Sequence, residues 1–197
     1  MCQLIESVKI DDGTIINPSY HSNRMNTSRR DLFGISDNLD VRDIISVPAT
    51  CMRGIYKCRV VYSDRIIEAK FEKYSRRNVH SLKLVYDDVI DYSYKYEDKK
   101  CLLSLREYRG QCDDILIIKN NRITDTSYSN IVFFDGQKWI TPASPLLKGT
   151  KRAHLLATGL IIEDEITISD IRLFRDAALI NAMLELGDTV FPSQNIY

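Results

Sequence analysis

Apolar and polar positions alternate through "GIYKCRVVYSDRIIEAKFEKY" and the alternation breaks at Ser-Asp, so this stretch predicts two strands joined by a tight turn. "VHSLKLVYDD" keeps the same period and predicts a third strand in the same half of the chain. Upstream, a glycine-containing turn opens residues 13–34, and "YHSNRMNTSRRDLFG" predicts a short helix from about His21 that stops at Gly34. Residues 40–50 predict another short helix, or a loop ending near Pro48. This half therefore reads as a small α+β unit rich in antiparallel strands.

The pattern changes from about residue 90. "EDKKCLLSLREYRG" sets leucines at 102, 103 and 105 among charges and ends on a glycine, which predicts a short amphipathic helix. "DDILIIKNN" and "SNIVFFDGQKWIT" predict strands, the second with a turn at Asp135-Gly136. In "SPLLKGTKRAHLLATG", Gly149 stands just ahead of a predicted helix over 151–158 that Gly159 bounds. "ISDIRLFRDAALINAMLELGD" fits one continuous helix by its period, although Asn181 interrupts the apolar run. The change of character puts a domain boundary at 88–94, giving a small domain over 1–90 and a larger α/β domain over 91–197, with no internal repeat.

Composition narrows the classes of function. Lysine plus arginine equals aspartate plus glutamate at 27 each, so no net basic field favours nucleic acid. Five cysteines, at 2, 51, 58, 101 and 112, contain no CxxC pair and are odd in number, as in a reducing compartment. Three histidines, at 21, 80 and 154, give a structural metal little to draw on, and no metal site is expected. No stretch reaches the roughly 18 apolar residues of a membrane span. These features predict a soluble, cytoplasmic protein.

Candidate chemistry begins at "NRITDTSYSNIVFF", where Asp125 sits in a polar run between two strand-like segments. An Asx turn is the plain reading of such a residue. The order of Arg24, a lysine near 95, "ITDTSYSN", "LLKGTKR" and "LINAM" nevertheless resembles the class IV family of pyridoxal-phosphate enzymes, and "YHSNRM" is similar to its His, two variable residues, Arg, apolar pattern. That family holds branched-chain and D-amino-acid aminotransferases and aminodeoxychorismate lyase. The resemblance covers most of the chain, is strongest over 95–183, and is closest to the lyase in the "Asn-Ala" wording of residues 181–182. It implies an α+β, two-domain fold like that of D-amino-acid aminotransferase, in shortened form, with pyridoxal 5'-phosphate bound at the domain interface and a homodimeric assembly.

The resemblance also assigns roles. Lys95 becomes the amine that forms an imine with the cofactor and then shuttles a proton, since only a primary amine can do both. Lys83 is the competing candidate on a predicted strand, and Lys99 and Lys100 lie on the polar face of a predicted helix. In an extended segment Tyr92, Tyr94 and Tyr96 share one face and Lys95 takes the other. Asp125 stands where the family has Glu, as the carboxylate that favours a protonated ring nitrogen, with Thr126, Ser127 and Asn130 in the same loop. Arg24 is implied as the phosphate fork. Gly149 and Thr150 are implied as backbone donors at a helix start, with Lys151 where the family has Thr; Asn181 and Ala182 are implied beside the phosphate.

His21 reads as a hydrogen-bonding structural residue, Lys73 with Arg76-Arg77 as a solvated turn, and Trp139 and Phe133-Phe134 as core or interface. The implied activity is conversion of 4-amino-4-deoxychorismate, a small-molecule amine, to 4-aminobenzoate and pyruvate, a step toward folate. Transamination of a branched-chain or D-amino acid, and a degenerate non-catalytic homologue, are the alternatives.

Overall fold

The computed structural model describes residues 2–197. The chain forms two compact units: residues through Arg76 with Tyr94–Asp98, and Arg77–Ser93 with Lys99–Tyr197.

The first unit is built on an antiparallel sheet of order β2-β1-β3-β4, from β1 (Leu4–Asp11), β2 (Thr14–Ile15), β3 (Ile55–Tyr62) and β4 (Ile66–Lys73). β1, which the alternation did not predict, is buried on both faces, so it lacks the period of a half-exposed strand. Helix α1 (Pro18–Phe33) starts three residues ahead of His21, with Pro18 in its first turn, and ends at Gly34, whose φ of 68° stops the helix in the left-handed region. α2 (Val41–Ile44) is a single turn capped by the Asp40 carboxylate. Leu4, Val8, Ile10, Met25, Cys58, Val60 and Tyr62 form the core of this unit.

The second unit carries a sheet of order β10-β9-β8-β7-β6-β5, with β11 on the other edge of β8 and β12 beside β11. Its elements are β5 (Leu82–Tyr86), α3 (Lys100–Arg106), β6 (Asp114–Lys119), β7 (Arg122–Thr126), β8 (Asn130–Phe134), β9 (Trp139–Pro142), α4 (Thr150–Ala157), β10 (Ile162–Asp164), β11 (Asp176–Ile180) and β12 (Val190–Pro192). β5 does not continue the antiparallel sheet of the first half as its sequence suggested; it pairs parallel with β6 from Leu82↔Asp114 to Tyr86↔Ile118. Alternation identifies a strand but not its partner.

The continuous helix expected over 168–188 does not form. A capping box of Thr167 and Asp170 starts a 3-10 helix at Ile168–Leu173, and Arg175 N–H then bonds Phe134 C=O, turning the chain into β11. The run "DAALI" is buried between β8 and β12, and an apolar run of that length fits a buried strand as well as a helix. Among the described residues no helix is long and apolar enough to cross a membrane.

Candidate active site

In the first unit a carboxylate stands inside an apolar strand. Glu6 is fully buried between Ile5 and the core residue Val8. A lone ionised carboxylate there costs several kcal/mol. It is compensated from α1, where His21 and Arg24 lie three residues apart and so share one face. Arg24 Nε donates to Glu6 Oε1 at 2.9 Å and Nη2 to Oε2 at 2.5 Å, a two-point fork. His21 Nδ1 lies 2.6 Å from Oε2. Burial pushes the Glu6 pKa up, but the charge of Arg24 and the bonds from His21 and Arg24 outweigh it and hold it at about 2. An ionised carboxylate only accepts, so His21 Nδ1 carries the proton and donates. Burial lowers the His21 pKa, and the charges of Arg24 and Lys95 lower it further against the pull of Glu6.

Lys95 does not lie on a regular strand. Tyr96 N–H bonds Tyr94 C=O at 2.8 Å, closing a three-residue turn with Lys95 at its centre. Ile5 N–H donates to Lys95 C=O and Glu97 N–H to Gln3 C=O, both at 2.9 Å, so the turn is fastened on either side of Leu4, at the start of β1. The alternation expected of Tyr92, Tyr94 and Tyr96 is replaced by this turn, in which the rings of Tyr94 and Tyr96 meet edge to face at 6.1 Å. The first unit thus gathers Arg24 and Lys95, two of the expected site residues, with Glu6 and His21.

The second unit holds the others. Asp125 lies on β7 directly across from Asn130 on β8. Its carboxylate is buried; Oδ1 accepts from Asn130 Nδ2 at 2.7 Å and Oδ2 from Leu147 N–H at 2.9 Å. Burial raises its pKa to about 6 against these hydrogen bonds and the charge of Arg152. Asn130 Nδ2 also donates to Leu147 C=O at 2.9 Å, tying the hairpin to the loop before α4. Gly149 is the N-cap of α4, and a Cβ on it would fall 2.0 Å from Asn130 Oδ1, so the approach requires glycine.

The hairpin loop is locked by its own hydroxyls. Thr126 Oγ1 donates to Ser129 C=O and accepts from the N–H groups of Tyr128 and Ser129. Ser127 Oγ donates to the buried Asp114 at 2.9 Å, and Arg106 Nε reaches the same carboxylate at 3.2 Å. Asn181 ends β11: its Nδ2 donates to Ser129 Oγ at 2.8 Å, while its Oδ1 accepts from Met183 and Leu184 N–H. Ala182 is half-buried within that turn.

Thr150, Lys151 and Arg152 form a buried first turn of α4 that contains no acidic residue. Lys151 Nζ pairs with Glu185 at 2.5 Å, and Arg152 Nη2 reaches Glu163 at 2.7 Å and Pro142 C=O at 2.9 Å. Cations at a helix N-terminus oppose the macrodipole, and here each is offset by a carboxylate, Glu185 or Glu163. Lys83, the competing lysine, is exposed on β5. A cavity of about 270 Å³ within this unit, lined by residues including Tyr92, Lys119, Thr124 and Leu146, includes none of the expected site residues.

Sequence reasoning missed Glu6, Asp114 and Glu185. A glutamate inside the apolar run "LIESVKI" was the available signal for the first, because a buried charge requires a partner. Nothing local marks the other two.

The family profile "Amino-transferase class IV" matches residues 97–188. A Haemophilus influenzae protein described as uncharacterized is 36% identical over 185 residues, covering 93% of this chain and 98% of its own. The crystal structure of a proposed 4-amino-4-deoxychorismate lyase from Haemophilus somnus 129PT is 33% identical with a TM-score of 0.89, covering 94% of this chain and 98% of that one. A Mesorhizobium loti structure described as a proposed amino-acid aminotransferase shares the fold at 21% identity and a TM-score of 0.80, covering 98% of both chains. The chain belongs to the class IV family of pyridoxal-phosphate-dependent lyases and aminotransferases.

The residues present suit the family's cofactor. Asp125 is a buried acid held in place by Asn130 and the Leu147 N–H, and a carboxylate so fixed suits a protonated ring nitrogen. The first turn of α4 carries no acidic residue, and its opening N–H groups have no acceptor within the helix, which suits a phosphate.

Proposed function

We propose that this chain converts 4-amino-4-deoxychorismate to 4-aminobenzoate and pyruvate, using pyridoxal phosphate as cofactor. The observation that carries the cofactor reading is the buried Asp125 carboxylate, clamped by Asn130 and Leu147 N–H beside the start of α4. The lyase rather than the transaminase is supported by the 33% identity to the Haemophilus somnus protein across nearly all of both chains.

When bound, the cofactor supplies an electron-accepting ring. Lys95 would hold the cofactor through its side-chain amine, and the same amine would carry a proton. That amine takes the proton from the substrate carbon bearing nitrogen and delivers one to the methylene of the departing enolpyruvyl group. The carbon–oxygen bond to that group breaks, the six-membered ring becomes aromatic, and pyruvate leaves, so the atoms balance without added water. Asp125 would favour the protonated ring nitrogen, with Asn130, Thr126 and Ser127 holding its hairpin. Arg24, the N–H groups of Gly149, Thr150 and Lys151, and the Asn181–Ala182 turn serve the phosphate. Lys151 keeps the backbone donor of the family's threonine but not its hydroxyl. A homodimer is the assembly proposed for the active protein.

Incubation with 4-amino-4-deoxychorismate and no second substrate is expected to yield 4-aminobenzoate and pyruvate in equal amounts. Formation of neither, together with brisk transfer of an amino group from an amino acid to a keto acid, replaces the lyase by an aminotransferase. Light scattering reads the assembly directly, and a monomer that retains full turnover would remove the dimer.

A further inference from the structure

Arg24 is the one expected phosphate ligand in the first unit, and its guanidinium is gripped by a carboxylate on β1. It is a long side chain with several rotatable bonds, and a freely rotating arginine loses much of that freedom when it grips an anion. Here the Nε and Nη2 groups are drawn onto the two oxygens of Glu6 at 2.9 and 2.5 Å. That two-point contact fixes the plane of the guanidinium as well as its place. Glu6 in turn cannot move: it lies within β1, is fully buried, and belongs to a strand held by eight register pairs with β3. His21 Nδ1 braces the same Oε2 at 2.6 Å.

Electrostatics alone gives the opposite expectation. An anion touching Arg24 weakens the arginine's pull on any further anion, so a pure charge argument makes Glu6 a hindrance to phosphate. The buried fork is then retained for geometry, because a second oxygen pair on an arginine is recognised by a planar, preset fork rather than by charge. The two effects have different signs and so can be separated.

We propose that Glu6 is a positioning residue for phosphate recognition: it sets the guanidinium plane of Arg24 from within β1, with His21 holding the carboxylate in register. This rests on the reading of Arg24 as a phosphate ligand. The test compares pyridoxal phosphate with pyridoxal, which lacks the phosphate, as probes binding to the full-length, cofactor-stripped protein, followed by absorbance. The quantity read is the dissociation constant of pyridoxal divided by that of pyridoxal phosphate, alongside the thermal midpoint.

Glu6→Gln is expected to reduce that ratio about tenfold, with pyridoxal affinity changed less than about twofold, because the glutamine amide presents donors to a donor and the fork is lost. Glu6→Asp keeps the charge but withdraws it by one methylene, and is expected to lower the ratio about threefold or more, which isolates position from charge. It also serves if Glu6→Gln does not fold. A ratio that is unchanged or higher in both variants overturns the proposal, as does an equal loss of both ligands, which would make Glu6 a purely structural residue. Arg24→Gln separates the underlying reading: if it leaves the ratio at the wild-type value, Arg24 does not read phosphate and the role of Glu6 falls with it. If Arg24→Gln lowers the ratio and the Glu6 variants do not, only the role of Glu6 fails.

Discussion

Two buried carboxylates in this chain are tuned in opposite directions, and each has its own pH signature. Glu6 is held down to about 2 from 4.5, because Arg24 and His21 outweigh its burial. Its folded pKa lies below its unfolded one, so its stabilisation is present above about pH 4.5 and is lost as pH falls toward 2. Asp125 runs the other way, from 3.8 up to about 6, because burial outweighs Leu147, Asn130 and Arg152. The folded state then holds the proton more tightly, so stability falls as pH rises from about 4 to 6, by on the order of 3 kcal/mol. Denaturant titrations of the cofactor-free protein across that window are expected to show the decline, and Asp125→Asn to abolish it. An Asp125→Asn protein that keeps the same slope would show the proton to be taken up elsewhere. A cationic ring nitrogen beside Asp125 favours the ionised acid, so the decline is expected to shrink when pyridoxal phosphate is added. Lys95 is tested at the same scale: borohydride treatment of the loaded protein is expected to fix the cofactor on the peptide carrying Lys95, and Lys95→Ala to abolish both that label and turnover. A label on Lys83 instead would move the reaction to the second unit.

At the level of elements, the start of α4 depends on one missing side chain. Asn130 ties β8 to the loop at Leu147, and its Oδ1 occupies the space a Cβ on Gly149 would need, at 2.0 Å. Gly149→Ala therefore has to displace either that amide, and with it the bond to Asp125, or the helix start. Overpacking of this kind costs roughly 1–3 kcal/mol, about 3–10 °C in thermal midpoint for a chain of this length. The midpoint is expected to fall by that amount and pyridoxal phosphate affinity to fall with it; an alanine variant with an unchanged midpoint would mean the loop yields freely. α4 itself was readable in sequence because glycines bracket an amphipathic run, and the α1 stop was readable because Gly34 needs no Cβ in its left-handed conformation. β11 was not. Its four apolar residues, Ala177 to Ile180, carry no period that separates helix from strand, and only the open edge of β8 decides between them. The candidate site was legible to the same extent: Asp125, Asn130 and Gly149 stand in a recognisable order, whereas Glu6, Asp114 and Glu185 acquire partners 8 to 34 residues away that no local pattern reveals.

The first unit as a whole is not one continuous piece of chain. Residues through Arg76 are completed by Tyr94–Asp98, the short segment that carries Lys95. β2 covers the outer edge of β1 only at Ile10 and Asp11, so the other end of that edge would be open without a second partner. Residues 95–97 supply it: Lys95 C=O takes the N–H of Ile5, and Glu97 N–H takes the C=O of Gln3. Successive N–H groups of a strand point to opposite neighbours, so Ile5 faces this segment while Glu6 faces β3. A fragment ending at residue 76 is therefore expected to lose one specific set of amide protections. Hydrogen exchange should find Ile5 slow in the full chain and fast in the fragment, with Glu6 still protected in both by β3. Rejoining residues 94–98 through a short flexible linker should slow Ile5 again. If Ile5 exchanges at the same low rate in the fragment as in the full chain, the segment contributes nothing to that edge, and the backbone of Lys95 is not fixed by β1. The position of the candidate lysine would then depend on the loop alone, and its role as the reacting amine would lose the rigid support that catalysis by a positioned group requires.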